Sequence, residues 1–232
     1  MNRQRSLERI IGALFVLATL SSSVGFVLLD PVLDDSDLLA SVAADDTLVM
    51  LGAFLLLTNA VAVVVISILL LPILMKHNAH LGRLYPASRI VESVVLVIGV
   101  VGLLSLVTLS DDYLPSGADS AALRTSADSL LAIYDWGVLL GILLFFGLAG
   151  LILNAVLYQS RLIPRWLAIW GLIGAALLLV EGAFESFGAD GLEVLSIPIA
   201  VQEMVFAGWL ILRGFALTAA PDDAATGRLA SL

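Results

Sequence analysis

Two charged residues stand near the start of a long apolar run in this sequence, in the segment YPASRIVESVVLVIGV at residues 85–100. Arg89 and Glu92 are three residues apart, and at about 100° per residue they share one helix face with Tyr85. A guanidinium and a carboxyl group on one face can orient an anionic or carbonyl group and exchange protons with it. The segment therefore predicts a buried polar binding site.

Other apolar runs contribute further polar side chains to this candidate site. Counting about 1.5 Å per residue places Asn59 and Glu203 near the bilayer midplane, level with Glu92. Asp135 and Glu181 fall in the outer leaflet, so the set predicts a polar column from the outside towards the midplane. The candidate pocket comprises Arg89, Glu92, Glu203, Asp135, Glu181, Asn59 and Tyr85.

The free energy of burying these groups argues that they have partners. Each Arg or Glu near the centre of a membrane helix costs roughly 3 kcal/mol, whereas each Leu, Ile or Val returns only roughly 0.3 to 0.6 kcal/mol. Because burial and like charge both favour the neutral acid, we expect Glu92 or Glu203 to be protonated at neutral pH. The alternative is that the Arg89–Glu92 pair only joins helices or that Arg89 extends to the interface.

The elements that hold these residues are membrane helices. The 232-residue chain is 60% hydrophobic and 13% charged, with mean hydropathy +1.07, too few polar groups to cover a water-soluble domain. Each of six apolar runs is long enough to cross about 30 Å of hydrocarbon. We predict an all-α integral membrane protein of the cell (plasma) membrane, one membrane domain over residues 1–232. The predicted spans are 9–29, 48–75, 84–109, 130–158, 163–187 and 192–215.

Charged residues are segregated by side, although the net charge is −9. Basic residues cluster on one side of a six-span arrangement, which predicts that this side and both termini are cytoplasmic. The basic side carries Arg3, Arg5, Arg9, Lys76, Arg83, Arg161, Arg165, Arg213 and Arg228. The acidic, external side carries Asp30, Asp34, Asp35, Asp37, Asp45, Asp46, Asp111, Asp112, Asp119, Asp128, Asp190 and Glu193.

The segment DDSDLLASVAADD at residues 34–46 has apolar residues at helical spacing between acidic ends. It predicts a short amphipathic helix along the external interface, between the first two spans. The DDSD stretch resembles an acidic cation cluster, but no second cluster supports it. No metal site is predicted.

Several cofactor chemistries are disfavoured by composition. The chain has no cysteine for thiolate-bound metals or iron–sulfur clusters. Its two histidines, His77 and His80, lie in a loop and not in a span, which argues against a bis-histidine haem. Lys76 lies at the end of a span, which argues against a buried retinal Schiff base. We predict no cofactor and no nucleic-acid partner.

Four blocks of sequence resemble a known family: YPASRIVE, DWGVLLG, LIPRWLAIWGLIGA and PIAVQEMVFAGWLILRGF, in this order. They are similar to the bacterial membrane family catalogued as domain of unknown function 4386, over residues 7–215. The resemblance implies a multi-span membrane protein. It implies no activity, substrate or catalytic residue.

Small residues predict close helix packing in the fourth span. Gly137 and Gly141 have the small-xxx-small spacing and lie roughly opposite Asp135. We expect them to pack within the chain. A homo-oligomer through this face is possible but not predicted.

Two prolines affect the last two spans. Pro164 starts a helix whose next residues, Arg165 and Trp166, are typical of interfacial anchors, with a substrate phosphate or lipid headgroup as the alternative. Pro198 is expected to bend the sixth span near Glu203.

The pattern favours an intrabundle polar pocket that binds a small or lipid-like molecule, with membrane lipid as surroundings. Whether the chain is an enzyme stays open, and no catalytic residue is assigned. One alternative is a proton-coupled transporter, since residues 51–96 and 140–182 form a faint repeat. The other is a membrane scaffold or accessory subunit whose buried charges are purely structural.

Overall fold

The computed structural model describes residues 2–116, 121–189 and 191–216, almost all of them helical. A π-helical segment, Leu139–Phe146, joins the fifth and sixth helices without a break, and a 3₁₀ turn, Glu193–Ser196, precedes the last helix. The predicted residues Asp119, Asp190 and Arg228 lie outside the described residues. The helices are α1 Asn2–Leu33, α2 Leu38–Ala44, α3 Asp46–His77, α4 Ala79–Ser116, α5 Ala121–Val138, α6 Gly147–Ser160, α7 Arg165–Glu185 and α8 Ile197–Leu212.

Six helical runs among the described residues are long and apolar enough to cross a membrane, which confirms the predicted all-α fold with six spans. The fourth run is the continuous sequence of α5, the π-helical segment and α6. The first four helical runs extend beyond the predicted spans, because hydropathy marks only the apolar part of a helix. Thus α1 continues to Leu33 through Pro31, which removes only one backbone donor. The last two, α7 and α8, are shorter than the spans predicted at residues 163–187 and 192–215.

Three contacts bring the segments of the predicted basic side to one end of the bundle. Arg5 in α1 donates to the Leu212 carbonyl at the end of α8. Asn78, between α3 and α4, donates to Gln159 of α6 at 3.3 Å. The backbone N–H of Ala216 donates to the carbonyl of Leu162, between α6 and α7, at 2.8 Å. The segregation of charge along the chain is therefore a segregation in space; which end is cytoplasmic stays a prediction.

The expected helix between the first two spans is present as α2. Its two apolar residues Leu39 and Val42 are buried, in a cluster with residues of α1, α3, α4 and α5. Its acidic flanks are exposed or half-buried. The short helix therefore closes the acidic end of the bundle by burying its apolar face.

Apolar residues form two main clusters, one towards each end of the bundle. The cluster near the basic end includes Phe15, Tyr85 and Phe206, and the cluster near the acidic end includes Leu56 and Val100. Along α4, Tyr85 belongs to the first cluster and Val100 to the second. Arg89 and Glu92 of α4 lie between them.

Glycines allow α4 and α5 to approach closely. A Cβ atom added at Gly137 would lie 2.6 Å from the Cα of Gly99, and one added at Gly141 would lie 3.3 Å from the Glu92 carbonyl oxygen. The glycine pair therefore packs within the chain, as expected. Pro198, by contrast, lies in the first turn of α8, where proline is tolerated, and not at a bend within it.

Replacing Gly137 with alanine is expected to destabilise the protein, because the added methyl group overlaps the backbone of α4. We expect the Gly137→Ala substitution to lower the free energy of unfolding by about 1 to 3 kcal/mol. The control is Gly208→Ala in α8, where an added Cβ has no atom within 4 Å. Thermal unfolding in detergent followed by circular dichroism measures both; equal midpoints would contradict the close approach.

Candidate functional site

The polar face of α4 is turned into the bundle. Tyr85 is fully buried, and Arg89 and Glu92 are 3% and 2% exposed. Their spacing of four and three residues aligns them along one stripe, while Ile90 and Val91 between them are exposed to the outside. The helical periodicity that buries Tyr85 therefore also buries the two charges.

Arg89 and Glu92 form a close ion pair within α4. One guanidinium nitrogen, Nη1, donates to both carboxylate oxygens of Glu92, at 2.8 and 2.9 Å. The Nε–H group donates to the hydroxyl of Tyr85 at 3.3 Å. These contacts occupy one side of the guanidinium and leave Nη2 for other helices.

Glu203 brings α8 to the same guanidinium. Its Oε1 lies 3.5 Å from Nη2 of Arg89, and its Oε2 accepts a hydrogen bond from the hydroxyl of Thr19 in α1 at 3.3 Å. Glu203 of α8 thus contacts both α1, through Thr19, and α4, through Arg89. The Arg89–Glu203 contact is longer than the Arg89–Glu92 contact, and the Glu203 side chain is 15% exposed.

The π-helical segment supplies an aromatic wall. Its last residue, Phe146, places its ring centroid 4.8 Å from the guanidinium carbon of Arg89, within the range of a cation–π interaction. The neighbouring carbonyl, of Phe145, accepts a hydrogen bond from the Ser88 hydroxyl of α4 at 3.2 Å. The π-helical turn is therefore tied to α4 beside the arginine.

Two amides extend the polar region towards α6 and α7. Gln202 donates to the side-chain oxygen of Asn154 and to the Leu167 carbonyl, both at 3.4 Å. Asn154 donates to the Gly150 carbonyl at 2.9 Å. The Asn154 amide fills the space that a side chain at Gly171 would need. These contacts connect α8 to the helices on its other side.

A small cavity lies between the charged cluster and the amides. Its volume is about 10 Å³, which is room for about one water molecule. Glu92 is not part of its wall, so Arg89 and Glu203 are the charged groups that face it. The polar wall comprises Tyr85, Arg89, Asn154, Gln202 and Glu203, and the aromatic wall Phe15, Phe146 and Phe206.

Four of the predicted pocket residues lie together in this cluster: Tyr85, Arg89, Glu92 and Glu203. The other three predicted residues are elsewhere, so the expected column from the outside towards the midplane is not formed by them.

Asp135 is exposed on the outside of α5. The reason is the rotation of the helix: Ala127, Tyr134 and Gly137 occupy its buried face, and Asp135 points away from it. Position along a helix predicts the depth of Asp135 in the membrane but not its direction around the helix axis.

Glu181 is buried in α7 but away from the arginine. Next to it, Gly182 packs against Leu143 and Leu144 of the π-helical segment. The Oε2 atom of Glu181 has no hydrogen-bond partner among the described residues. It is a separate buried carboxyl group.

Asn59 is buried in α3, next to Ala60, whose carbonyl accepts a hydrogen bond from the Ser93 hydroxyl of α4 at 3.0 Å. Asn59 itself does not line the cavity.

Several residues of the site are outside the predicted set: Asn154 and Gln202 line the cavity, and Thr19 and Phe146 contact the charged residues. Thr19 is one of several hydroxyl residues in the first span, and nothing in the sequence distinguishes it. Phe146 is one of many apolar residues in the fourth span, and its position depends on the π-helical turn, which shifts side chains around the axis relative to an α-helix.

The charge count of the cluster is one guanidinium to two carboxyl groups. With all three groups ionised it would carry a net charge of −1 in apolar surroundings, which is unfavourable. This net charge changes if one carboxyl group gains a proton, or if another group replaces Glu203 beside Arg89. The cluster can therefore couple binding to the gain or loss of a proton.

Removing the guanidinium is expected to destabilise the bundle more than removing an exposed arginine. An Arg89→Ala substitution leaves Glu92 buried without its partner, which costs about 3 to 5 kcal/mol when a buried pair is broken. The control, Arg83→Ala, changes an exposed arginine of the same helix. Denaturant unfolding in detergent compares the two; similar small losses in both would contradict a buried pair.

Comparison with known proteins assigns the chain to a family. Neither the curated proteins nor the solved structures give a match to it. One family matches residues 10–214, a range that includes Arg89, Glu92 and Glu203. The chain therefore belongs to the family described as domain of unknown function (DUF4386).

Proposed function

We propose that this membrane protein binds a small or lipid-like molecule at the polar cavity between α1, α4, α6 and α8. The observation that carries the proposal is the inequality of the two carboxyl contacts of Arg89. Glu92 is held at 2.8 Å and lies behind the arginine, whereas Glu203 lies at 3.5 Å and faces the cavity. Glu203 is thus the partner that a ligand can replace.

The ligand group that fits this arrangement is an anion or a carbonyl oxygen. It would accept hydrogen bonds from Nη2 of Arg89, while Glu92 keeps the guanidinium in place. If Glu203 gains a proton as it is displaced, the local charge stays balanced when an anionic group arrives. Glu203 would then act as the proton-exchanging residue of the site.

Access from the surrounding lipid supports a lipid-like ligand. Glu203 and its partner Thr19 are both partly exposed, at the seam between α1 and α8. Further along the same seam the helices are in close contact, since a Cβ added at Gly12 would lie 2.8 Å from the Ala207 carbonyl oxygen. The seam is therefore more open beside Glu203 than towards the basic end.

A larger ligand requires the helices to separate, because the cavity has room for about one water molecule. α8 is the element best able to move. Its hydrogen bonds to Thr19, Asn154 and Arg89 are all 3.3 Å or longer, and it is the last of the spans and packs mainly against α1 and α7. Ligand binding would widen the space between α8 and its neighbours.

The small cavity also favours a second candidate, the scaffold in which these charges only fix helix pairing. That candidate explains the fully buried Arg89–Glu92 pair without a ligand. The proton-coupled transporter has weaker support, because the exposed position of Asp135 removes the outer step of a carboxyl relay.

Native mass spectrometry with lipid extraction tests the pocket against the scaffold. We expect one stoichiometric molecule on the wild type that is lost in Glu203→Gln and in Arg89→Ala. Glu203→Gln is the sharper variant, because glutamine keeps the size of the side chain and removes only its charge. The control is Asp135→Asn, which removes an exposed carboxyl group that does not line the cavity.

Retention of the molecule in Asp135→Asn and its loss in Glu203→Gln, with an unchanged melting temperature, would support the pocket. Only bulk phospholipid in the wild type and all variants would contradict it. The scaffold candidate predicts that outcome, together with a lower melting temperature in both Arg89→Ala and Glu203→Gln.

A further inference from the structure

A second, larger groove lies at the basic end of the bundle, between the α6–α7 connection and the end of α8. Its volume is about 560 Å³, and it is open to the surroundings. Three arginines line it, Arg161, Arg165 and Arg213, together with Trp209. None of them contacts the Arg89 cluster, so the groove is separate from the proposed ligand cavity.

The three arginines converge from different parts of the chain. Arg161 ends α6 in the left-handed conformation, with φ 55°, Arg165 is the first residue of α7, and Arg213 follows α8. No carboxylate of the described residues lies within 4.0 Å of any of them, since the ion pairs there involve Arg5 and Arg89. Three positive charges thus share one groove without a described acidic partner.

Aromatic rings orient two of these guanidinium groups. The guanidinium of Arg165 lies 5.0 Å from the ring centroid of Tyr158, and that of Arg213 lies 5.8 Å from the ring of Trp209. The Trp209 ring is itself fixed, because its N–H group donates to the Gly214 carbonyl at 3.1 Å. A guanidinium stacked on a ring keeps its N–H edge available for a bidentate acceptor such as a carboxylate or a phosphate.

The helix ends add to the positive potential. α7 begins in the groove, and its first backbone N–H groups have no acceptor within the helix, since the first bond runs from the Leu167 N–H to the Pro164 carbonyl. The C-terminus of α8 is the negative end of that helix, and Arg5 covers it by donating to the carbonyls of Leu210 and Leu212. The uncovered helix end is therefore the N-terminus of α7, which attracts anions.

We infer that this groove binds a phosphate group, carried either by an anionic phospholipid headgroup or by a soluble phosphate compound. Phosphate offers several strong acceptor oxygens, which suits three guanidinium groups and a helix N-terminus. The apolar residues Leu162 and Phe215 beside the arginines can contact the glycerol or acyl part of a lipid. Basic pockets between helices at the cytoplasmic side of a membrane are suited to such headgroups.

Two binding measurements on the full-length protein in neutral detergent test the inference and separate the two sources. Isothermal titration uses inorganic phosphate. Native mass spectrometry uses an equimolar mixture of phosphatidylglycerol and diacylglycerol with the same acyl chains, which differ only in the phosphate headgroup. We expect at least one phosphate-bearing probe to bind at one per chain, in preference to diacylglycerol.

Substitution of single arginines identifies the site. Arg161→Gln, Arg165→Gln and Arg213→Gln are each expected to weaken binding about tenfold, because each removes a charged donor. Arg83→Gln is the matched control: it changes the net charge equally, is exposed and does not line the groove. The three exposed arginines are changed separately, so a variant that fails to fold leaves two others.

Binding of phosphatidylglycerol alone identifies a lipid headgroup, and binding of inorganic phosphate alone or of both identifies a site for phosphate that is not restricted to lipid. Either result requires the loss in the three variants and not in Arg83→Gln. An equal loss in Arg83→Gln, or no preference for either phosphate probe, would overturn the inference and leave these arginines as interfacial anchors. The Arg89 variants do not enter this test, so its failure leaves the proposed ligand cavity untouched.

Discussion

The buried guanidinium of Arg89 is the interaction on which the arrangement of the bundle depends. Because it lies between two apolar clusters, every donor without a partner would be costly. Glu92 and Tyr85 of α4, Glu203 of α8 and the ring of Phe146 surround it. Satisfying this one charge therefore fixes how α4, α8 and the π-helical segment face each other, and Thr19 extends the constraint to α1.

The fold was predictable because membrane helices are a local property of the sequence. Apolar length and the side of the basic residues need no tertiary information, and they gave the six spans and the ends that meet. Helix ends were less predictable, because hydrogen bonding continues beyond the apolar stretch, as in α1 beyond Pro31. The π-helical segment was not predicted at all, since its sequence LLGILLFF reads as an ordinary apolar run.

The site was predictable where residues share one helix and less so between helices. Tyr85, Arg89 and Glu92 follow from helical spacing alone, and Glu203 from the cost of a carboxyl group in the middle of a span. Asp135 was misplaced because depth along an axis does not determine direction around it. That direction is set by what the opposite face packs against, here the contact of Gly137 with α4.

α8 connects the two candidate sites. It carries Glu203 and Gln202 at the cavity of the proposed ligand, and Arg213, the residue after its last turn, lies in the groove of the basic end. Because α8 is one helix of 16 residues, the proposed widening of the cavity would change the direction of its basic end, where Arg5 covers the last carbonyls. The middle of α8 is held by long hydrogen bonds. Its basic end is held by Arg5 on the Leu212 carbonyl, and the residues that follow it are held by Trp209 on Gly214 and by Ala216 on the Leu162 carbonyl. A tilt about the basic end is therefore easier than a sliding of the whole helix.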